Sequence, residues 1–126
     1  MSYSPALSAV FGADSVENVL HGALNGISLR QSVIADNIAN VDTPHFRARS
    51  VEFESSLREQ IARGSVDSPS VSFSTTPTQT PVGVNDNNVD LRKETIAAMQ
   101  SVFQYQVVSR AVSERLTNLK TAAGSF

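Results

Sequence analysis

At 126 residues the chain has room for a single domain spanning 1-126. It has no cysteine, which excludes a disulfide framework and any thiolate metal site. Net charge is -2 and the ten Lys and Arg are scattered, so the basic stripe of a phosphate-binding protein is missing and nucleic acid is not an expected partner.

Met1 to Gly12 has no basic start, and Ser4, Pro5 and Ser8 interrupt its apolar residues, so no cleaved signal peptide is expected. No apolar run approaches the ~20 residues that span a bilayer. A soluble chain with no membrane insertion is expected, with residues 1-14 as a mobile N-terminus.

Residues 15-41 read as one long helix. Asp14 and Glu17 have the spacing of a capping box, and acidic residues suit the positive end of the helix dipole. Leu20, Leu24, Ile27, Ile34, Ile38 and Val41 then recur at intervals of three, four and seven, close to a heptad seam with Gln31 as its polar interruption. At ~1.5 Å per residue the helix is roughly 40 Å long. Thr43-Pro44 closes it, because a residue before proline is pushed out of the α region. Asn40 suits a left-handed C-cap, Asp42 and Thr43 suit local backbone bonds, and Phe46 suits an anchor for the outgoing chain.

After an extended entry through Phe46 to Ser50, residues 51-63 predict a short helix. Phe53, Leu57 and Ile61 lie four apart, and Gly64 is a natural residue to follow the last turn. Glu52 and Glu54 are expected on a solvated edge. Residues 64-88 are rich in Ser, Thr, Pro, Asn and Gly, and Pro69, Pro77 and Pro81 forbid a helix across them. Alternation over Ser70 to Ser74 predicts one short edge strand. The stretch is either disordered in the lone chain or pinned by a partner.

Residues 90-122 predict the second long helix, with Asp90 as N-cap and Gly124 beyond its end. Ala98, Val102, Tyr105, Val112, Leu116, Leu119 and Ala123 share one stripe, and Ile96, Met99 and Phe103 widen it. The fold expected is all-α: two long terminal helices, a short middle helix and a largely irregular or disordered central segment.

Two paired helices should carry charge on their backs. Here no charged residue occurs between Asn18 and Leu29, nor from Thr95 to Ser109. Gln100, Ser101, Gln104 and Gln106 can hydrogen-bond inside an interface without the desolvation cost of a charge. Gly22 and Gly26 offer a small-residue face for another backbone. The preferred reading is that both helices complete their packing on neighbouring subunits. The alternative is a three-helix bundle in which residues 51-63 cover the hairpin.

No catalytic, cofactor or metal site is expected. His21 and His45 have no Asp or Glu at ligand spacing around them, and no phosphate loop or nucleophile elbow occurs. The chain is not read as an enzyme, and no small-molecule substrate is expected.

Asn37, Ile38, Ala39, Asn40, Thr43 and Pro44 resemble the signature of the flagellar rod and hook axial proteins, which closes the N-terminal helix of that family. Asp36, His45 and Phe46 stand where its pattern has Asn, Gly and Tyr. Phe46 to Phe53, Gly83 to Glu94, Phe103 to Gln106 and Leu119 to Ala122 are similar to the proximal-rod branch. The resemblance implies a structural component of the proximal rod in the bacterial flagellar basal body, passing torque from membrane ring to hook and filament. It implies terminal helices paired as an antiparallel coiled-coil-like hairpin. It makes Asn37, Ile38, Ala39, Asn40, Thr43, Pro44 and Phe46 a subunit-contact corner. Leu20, Leu24, Ile27, Ile34, Val102, Tyr105, Val112, Leu116 and Leu119 become helix-packing positions. Implied partners are copies of itself, other rod proteins, the adaptor between membrane ring and rod, and the flagellar export apparatus. The implied location is the rod across the cell envelope and periplasm, reached without a cleaved signal peptide. The competing function is a helical adaptor or export chaperone that binds one flagellar partner transiently.

Overall fold

The computed structural model describes residues 5-64 and 73-124, with side chains described from residue 16 onward in the first helix. Helix α1 spans Pro5–Ala39, strand β1 Arg49–Val51, helix α2 Phe53–Arg63, strand β2 Thr75–Pro77 and helix α3 Leu91–Gly124. A 3₁₀ turn, Val84–Asp86, precedes α3. Among the described residues no helix is long and apolar enough to cross a membrane.

Helix α1 starts ten residues before the expected Ser15, so the Asp14–Glu17 pair lies inside the helix and not at its start. Proline at the first helical position explains the earlier start, since its missing N–H has no helical partner there in any case. Residues 1-4 lie outside the described part. At the far end, Asn40 N–H donates to the Asp36 and Asn37 carbonyls and Val41 N–H to Ile38, which tightens the last turn. Asn40 is not left-handed as expected; His45 is, with φ 64°.

Helix α2 begins two residues after the expected Val51. Gly64 follows it with φ 68°, and its N–H donates to the carbonyls of Gln60 and Ile61. Helix α3 is capped by Asp90, whose Oδ1 accepts from Lys93 N–H at 3.2 Å. It runs through Gly124 rather than stopping before it.

The fold is mostly helical but not all-α. β1 and β2 form an antiparallel ribbon with Arg49 opposite Pro77, Ser50 opposite Thr76 and Val51 opposite Thr75. The strand lies downstream of the alternating stretch, of which Ser70 to Ser72 fall outside the described residues. Pro77 is tolerated because it ends an edge strand. The central segment from Phe73 to Asp90 is irregular, yet it is tied to the chain's own earlier residues: Thr78 N–H donates to Ala48 O, His45 N–H to Asn85 O, and Asn88 N–H to Phe46 O.

α1 and α3 run side by side in opposite directions. Arg30 Nη1 reaches Gln104 Oε1 and, two turns along, Asn37 Nδ2 reaches Glu94 Oε1. The core between them is small, centred on Ile27, Val51 and Phe53, with Val33, Phe73 and Val108 packed around it. The glycine face of α1 is taken by the chain itself. A Cβ on Gly26 would fall within 2.6 Å of Phe53 Cδ2, and one on Gly22 would come to 3.2 Å from Leu57 Cδ1. No other subunit's backbone is needed there. Helix α2 therefore packs on α1 and stays apart from α3, with a groove between them, so it covers the hairpin only in part, short of what the three-helix alternative requires, and leaves much of α3 bare.

Candidate functional site

Two features stand out: a hydrogen-bonded corner after α1, and an uncovered apolar face on α3.

The corner is built from asparagine carboxamides. Asn37 is 1 % exposed. Its Nδ2 donates to Arg49 O at 2.8 Å, and its Oδ1 accepts from Arg49 N–H at 3.1 Å. One side chain thus gives Arg49 the donor and acceptor that a neighbouring strand would supply. Asn40 Nδ2 donates to Asp36 O, and its Oδ1 accepts from Thr43 Oγ1. Asn87 Nδ2 donates to the carbonyls of Asn40 and Thr43, at 2.8 and 2.7 Å, oxygens of the turns after α1 that also accept from Thr43 N–H and Phe46 N–H. Asn88 Oδ1 accepts from Ala48 N–H at 2.6 Å. The sequence pattern marked Asn37 and Asn40. Asn87 and Asn88 fell within the Gly83 to Glu94 resemblance but were given no role there, because they bond mainly to backbone in segments forty or more residues away.

Three residues at this corner are left-handed: His45, Asn85 and Asp86. Asn and Asp tolerate that conformation; histidine in it costs roughly 1–2 kcal/mol. Side-chain bonds hold the arrangement. Asp86 receives His45 Nδ1 at 2.9 Å and Arg47 Nη2 at 2.7 Å, and Arg47 Nη1 also donates to Asp86 O. His45 and Arg47 together draw the Asp86 carboxyl below its usual range. His45 is thus paired with Asp86 while remaining solvated, 80 % exposed.

Of the remaining motif residues, Ile38, Asn40 and Phe46 are half-buried, and Ala39, Thr43 and Pro44 are exposed. Burial of Asn37 turns it inward, into the chain's own packing.

Glu94 is buried beside Asn37. Desolvation raises its pKa, against the opposing hydrogen bond from Asn37. The ionised form therefore costs stability above the raised pKa, and that cost disappears as pH falls toward the ordinary carboxyl value. Glu94→Gln keeps the acceptor and removes the charge. Its melting temperature should exceed wild type at pH 7, by less than about 1 kcal/mol equivalent after solvent screening, and the gap should close by pH 4. Thermal melts at both pH values check this; a variant less stable at pH 7 would mean the charge is favourable.

The side of α3 that meets α1 consists of Glu94, Ala97, Ser101, Gln104 and Val108, at alternating spacings of three and four. Ser101 is fully buried and its Oγ has no partner among the described residues. Small and polar residues allow the helices to approach closely, and Arg30 and Asn37 from α1 fill the seam. The apolar stripe expected to pack lies one position around the helix. Val102, Tyr105, Leu116 and Leu119 are exposed and Val112 is half-buried. On α1, Ile27 and Ile34 are buried, and Leu20 and Leu24 are half-buried. Ile96, Met99, Phe103 and Val107 are also exposed, further around α3, with Phe103 and Val107 on the side facing α2.

Sequence reading missed Arg30, which joins four elements. Nε and Nη2 donate to Val51 O, Nη1 and Nη2 grip both Glu54 oxygens at 2.7 Å, and Nη1 reaches Gln104. Its guanidinium also lies 4.6 Å from the Phe53 ring centroid. Glu54 is therefore an ion-pair partner in the first turn of α2, rather than part of a solvated edge shared with Glu52.

Residues 18-47, from the charge-free stretch of α1 through the corner to Arg47, match the family described as "Flagella basal body rod protein". The chain is 33 % identical over 113 residues to flagellar basal body rod protein FlgB of Bacillus subtilis (strain 168), covering 81 % of this chain and 88 % of that one. It is 31 % identical over 116 residues to the FlgB of Escherichia coli (strain K12), covering 77 % and 84 %. To the FlgB of Borrelia hermsii it is 57 % identical over 44 residues, 35 % of this chain and 33 % of that one. With its helices, its asparagine corner and its uncovered apolar face, the chain belongs to the FlgB family of flagellar basal body rod proteins: structural components of the rod, not enzymes.

Proposed function

We propose that this chain is a torque-bearing subunit of the proximal rod, and that neighbouring rod subunits cover the exposed edge of α3. The single observation that carries this is the row of solvent-facing Val102, Tyr105, Leu116 and Leu119 on a helix with no charge from Thr95 to Ser109. Large apolar side chains gathered on one face mark an interaction surface. The occupants are other copies and other rod proteins. α1 and α3 would form a coiled-coil-like antiparallel layer of the tube, with Ile38, Thr43, Pro44 and Phe46 touching the next subunit. Close-packed helices between subunits transmit strain and so resist twisting. The membrane-ring adaptor and the export apparatus are partners in the same reading, and the subunit reaches the periplasm with its N-terminus uncleaved.

Leu116→Asp and Val102→Asp should abolish swimming and leave basal bodies with rings but incomplete rods in electron micrographs. Both positions are exposed in the free chain, so circular dichroism of the purified variants should match wild type. Ser113→Ala, on exposed α3 surface, should swim normally. Complete rods in both aspartate variants would overturn the reading.

A further inference from the structure

The face of the hairpin covered by α2 carries a feature that the rod reading does not use. α2 and α3 flank a groove of about 460 Å³ over Ala23, Ile27, Phe53 and Leu57. Ile61 forms its α2 wall, and Phe103 and Val107 its α3 wall. Phe103 stands at the lip, 66 % exposed, and Met99, 69 % exposed, continues the ridge one turn along. One patch therefore presents both a hole and the aromatic side chain that could fill it. That is the requirement for a two-fold contact, in which each subunit offers the same self-complementary surface.

Charge allows the same pairing. A surface that meets its own copy places like groups opposite like groups, which is costly when they are ionised. Helix α3 has no charge from Thr95 to Ser109. Two charged residues line the groove: Glu54, already held by Arg30 of its own chain, and the exposed Arg58 on the α2 wall, which an antiparallel pairing through α3 sets against the other copy's uncharged Thr95–Ser109 stretch. We propose that two copies of this chain pair through the groove, their α3 helices antiparallel about a two-fold axis near Phe103, each Phe103 seated between α2 and α3 of the other copy.

The strength of the pair follows from its size. An aromatic side chain buries on the order of 150–250 Å² and an aliphatic one less, so Ile61, Met99, Phe103 and Val107, about half to two-thirds exposed, offer roughly 300–400 Å² per copy. A stable interface takes ~800 Å² per partner, so the pair should be weak, with Kd on the order of 10⁻⁴ M. The proposal does not rest on the rod reading, which uses the edge of α3 running from Val102, beside Met99 and Phe103, to Leu116 and Leu119.

Sedimentation equilibrium of the full chain tests it. Monomer is expected at ~10 μM and mostly dimer near ~1 mM. Phe103→Glu, and independently Met99→Glu, should raise Kd at least tenfold. Leu116→Glu, on the rod edge, should leave it unchanged. The chain has no native cysteine. Mixing Met99→Cys with Val107→Cys chains should therefore give more disulfide-linked heterodimer than either gives homodimer, since an antiparallel pair sets one residue across from the other. A chain monomeric to ~1 mM, a dimer indifferent to both glutamate variants on the groove, or one dissolved equally by Leu116→Glu would overturn the proposal.

Discussion

Gly26→Ala should destabilise the subunit by about 2 kcal/mol or more, although alanine is the better helix former. In an open helix the exchange would gain roughly 1 kcal/mol. Here the new methyl would fall 2.6 Å from Phe53 Cδ2 and 2.7 Å from Phe53 Cβ, inside the contact distance of a ring that cannot easily yield. The ring is wedged between the Arg30 guanidinium at 4.6 Å and Phe73, whose ring centroid lies 5.7 Å away. Overpacking of a fixed core costs about 1–3 kcal/mol, and expelling Phe53 altogether would cost 3–5 kcal/mol. At contacts this short the cost lies at the upper end of the first range or in the second, which leaves about 2 kcal/mol or more after the propensity gain of about 1 kcal/mol. Gly22→Ala is the control. Its methyl would meet only Leu57 Cδ1, at 3.2 Å, the free end of a side chain that can rotate. That variant should be neutral or slightly more stable. Urea unfolding of both separates the effects; equal stability of the two would show that Phe53 does not sit on Gly26.

The same pair of glycines shows how far the sequence could be read. Their spacing of four announced a small-residue face, and Phe53 and Leu57, also four apart, are its complement: Gly26 receives Phe53 and Gly22 receives Leu57. Both halves were visible, but nothing local says whether the occupant comes from the same chain. Ile27, Ile34, Gly64 and Asp90 were legible because helical period and capping chemistry are local rules. The α3 seam was not. Ser101 and Gln104 were marked with Gln100 and Gln106 as uncharged residues fit for an interface, but no apolar period said which of the four face α1, and Glu94 left no trace in one. Their place depends on Asn37 and Arg30, 57 and 74 residues away. The β1–β2 ribbon was equally hidden. Three-residue strands carry almost no period, and their register leans on Thr78 and Asn88 bonding to Ala48. The rod motif was recognisable as a pattern. Its physical content, an asparagine imitating a strand edge, needed the fold.

Arg30→Ala should lower stability by about 2–3 kcal/mol and change how the protein responds to acid. The guanidinium is 19 % exposed and makes five hydrogen bonds, to Val51 O, to both oxygens of Glu54 and to Gln104. Truncation leaves the Val51 carbonyl and Gln104 short of a donor and removes the cation stacked on Phe53; bonds to charged groups contribute roughly 1.5–3 kcal/mol each at most, less where solvent reaches them. Arg30→Lys should recover little, because one ammonium cannot reproduce the fork that holds both oxygens. The acid response follows from Glu54, whose pKa is lowered chiefly by the hydrogen bond from Arg30. A depressed carboxyl contributes stability above its unfolded-state pKa and loses it as pH falls through the folded-state value. Wild type should therefore lose stability progressively below about pH 5, the upper end of that carboxylate window. Arg30→Ala, starting lower, should lose less over the same range. The difference between the two unfolding free energies should shrink from pH 7 to pH 3. A constant difference would mean that Arg30 acts through packing alone and that its grip on Glu54 adds nothing.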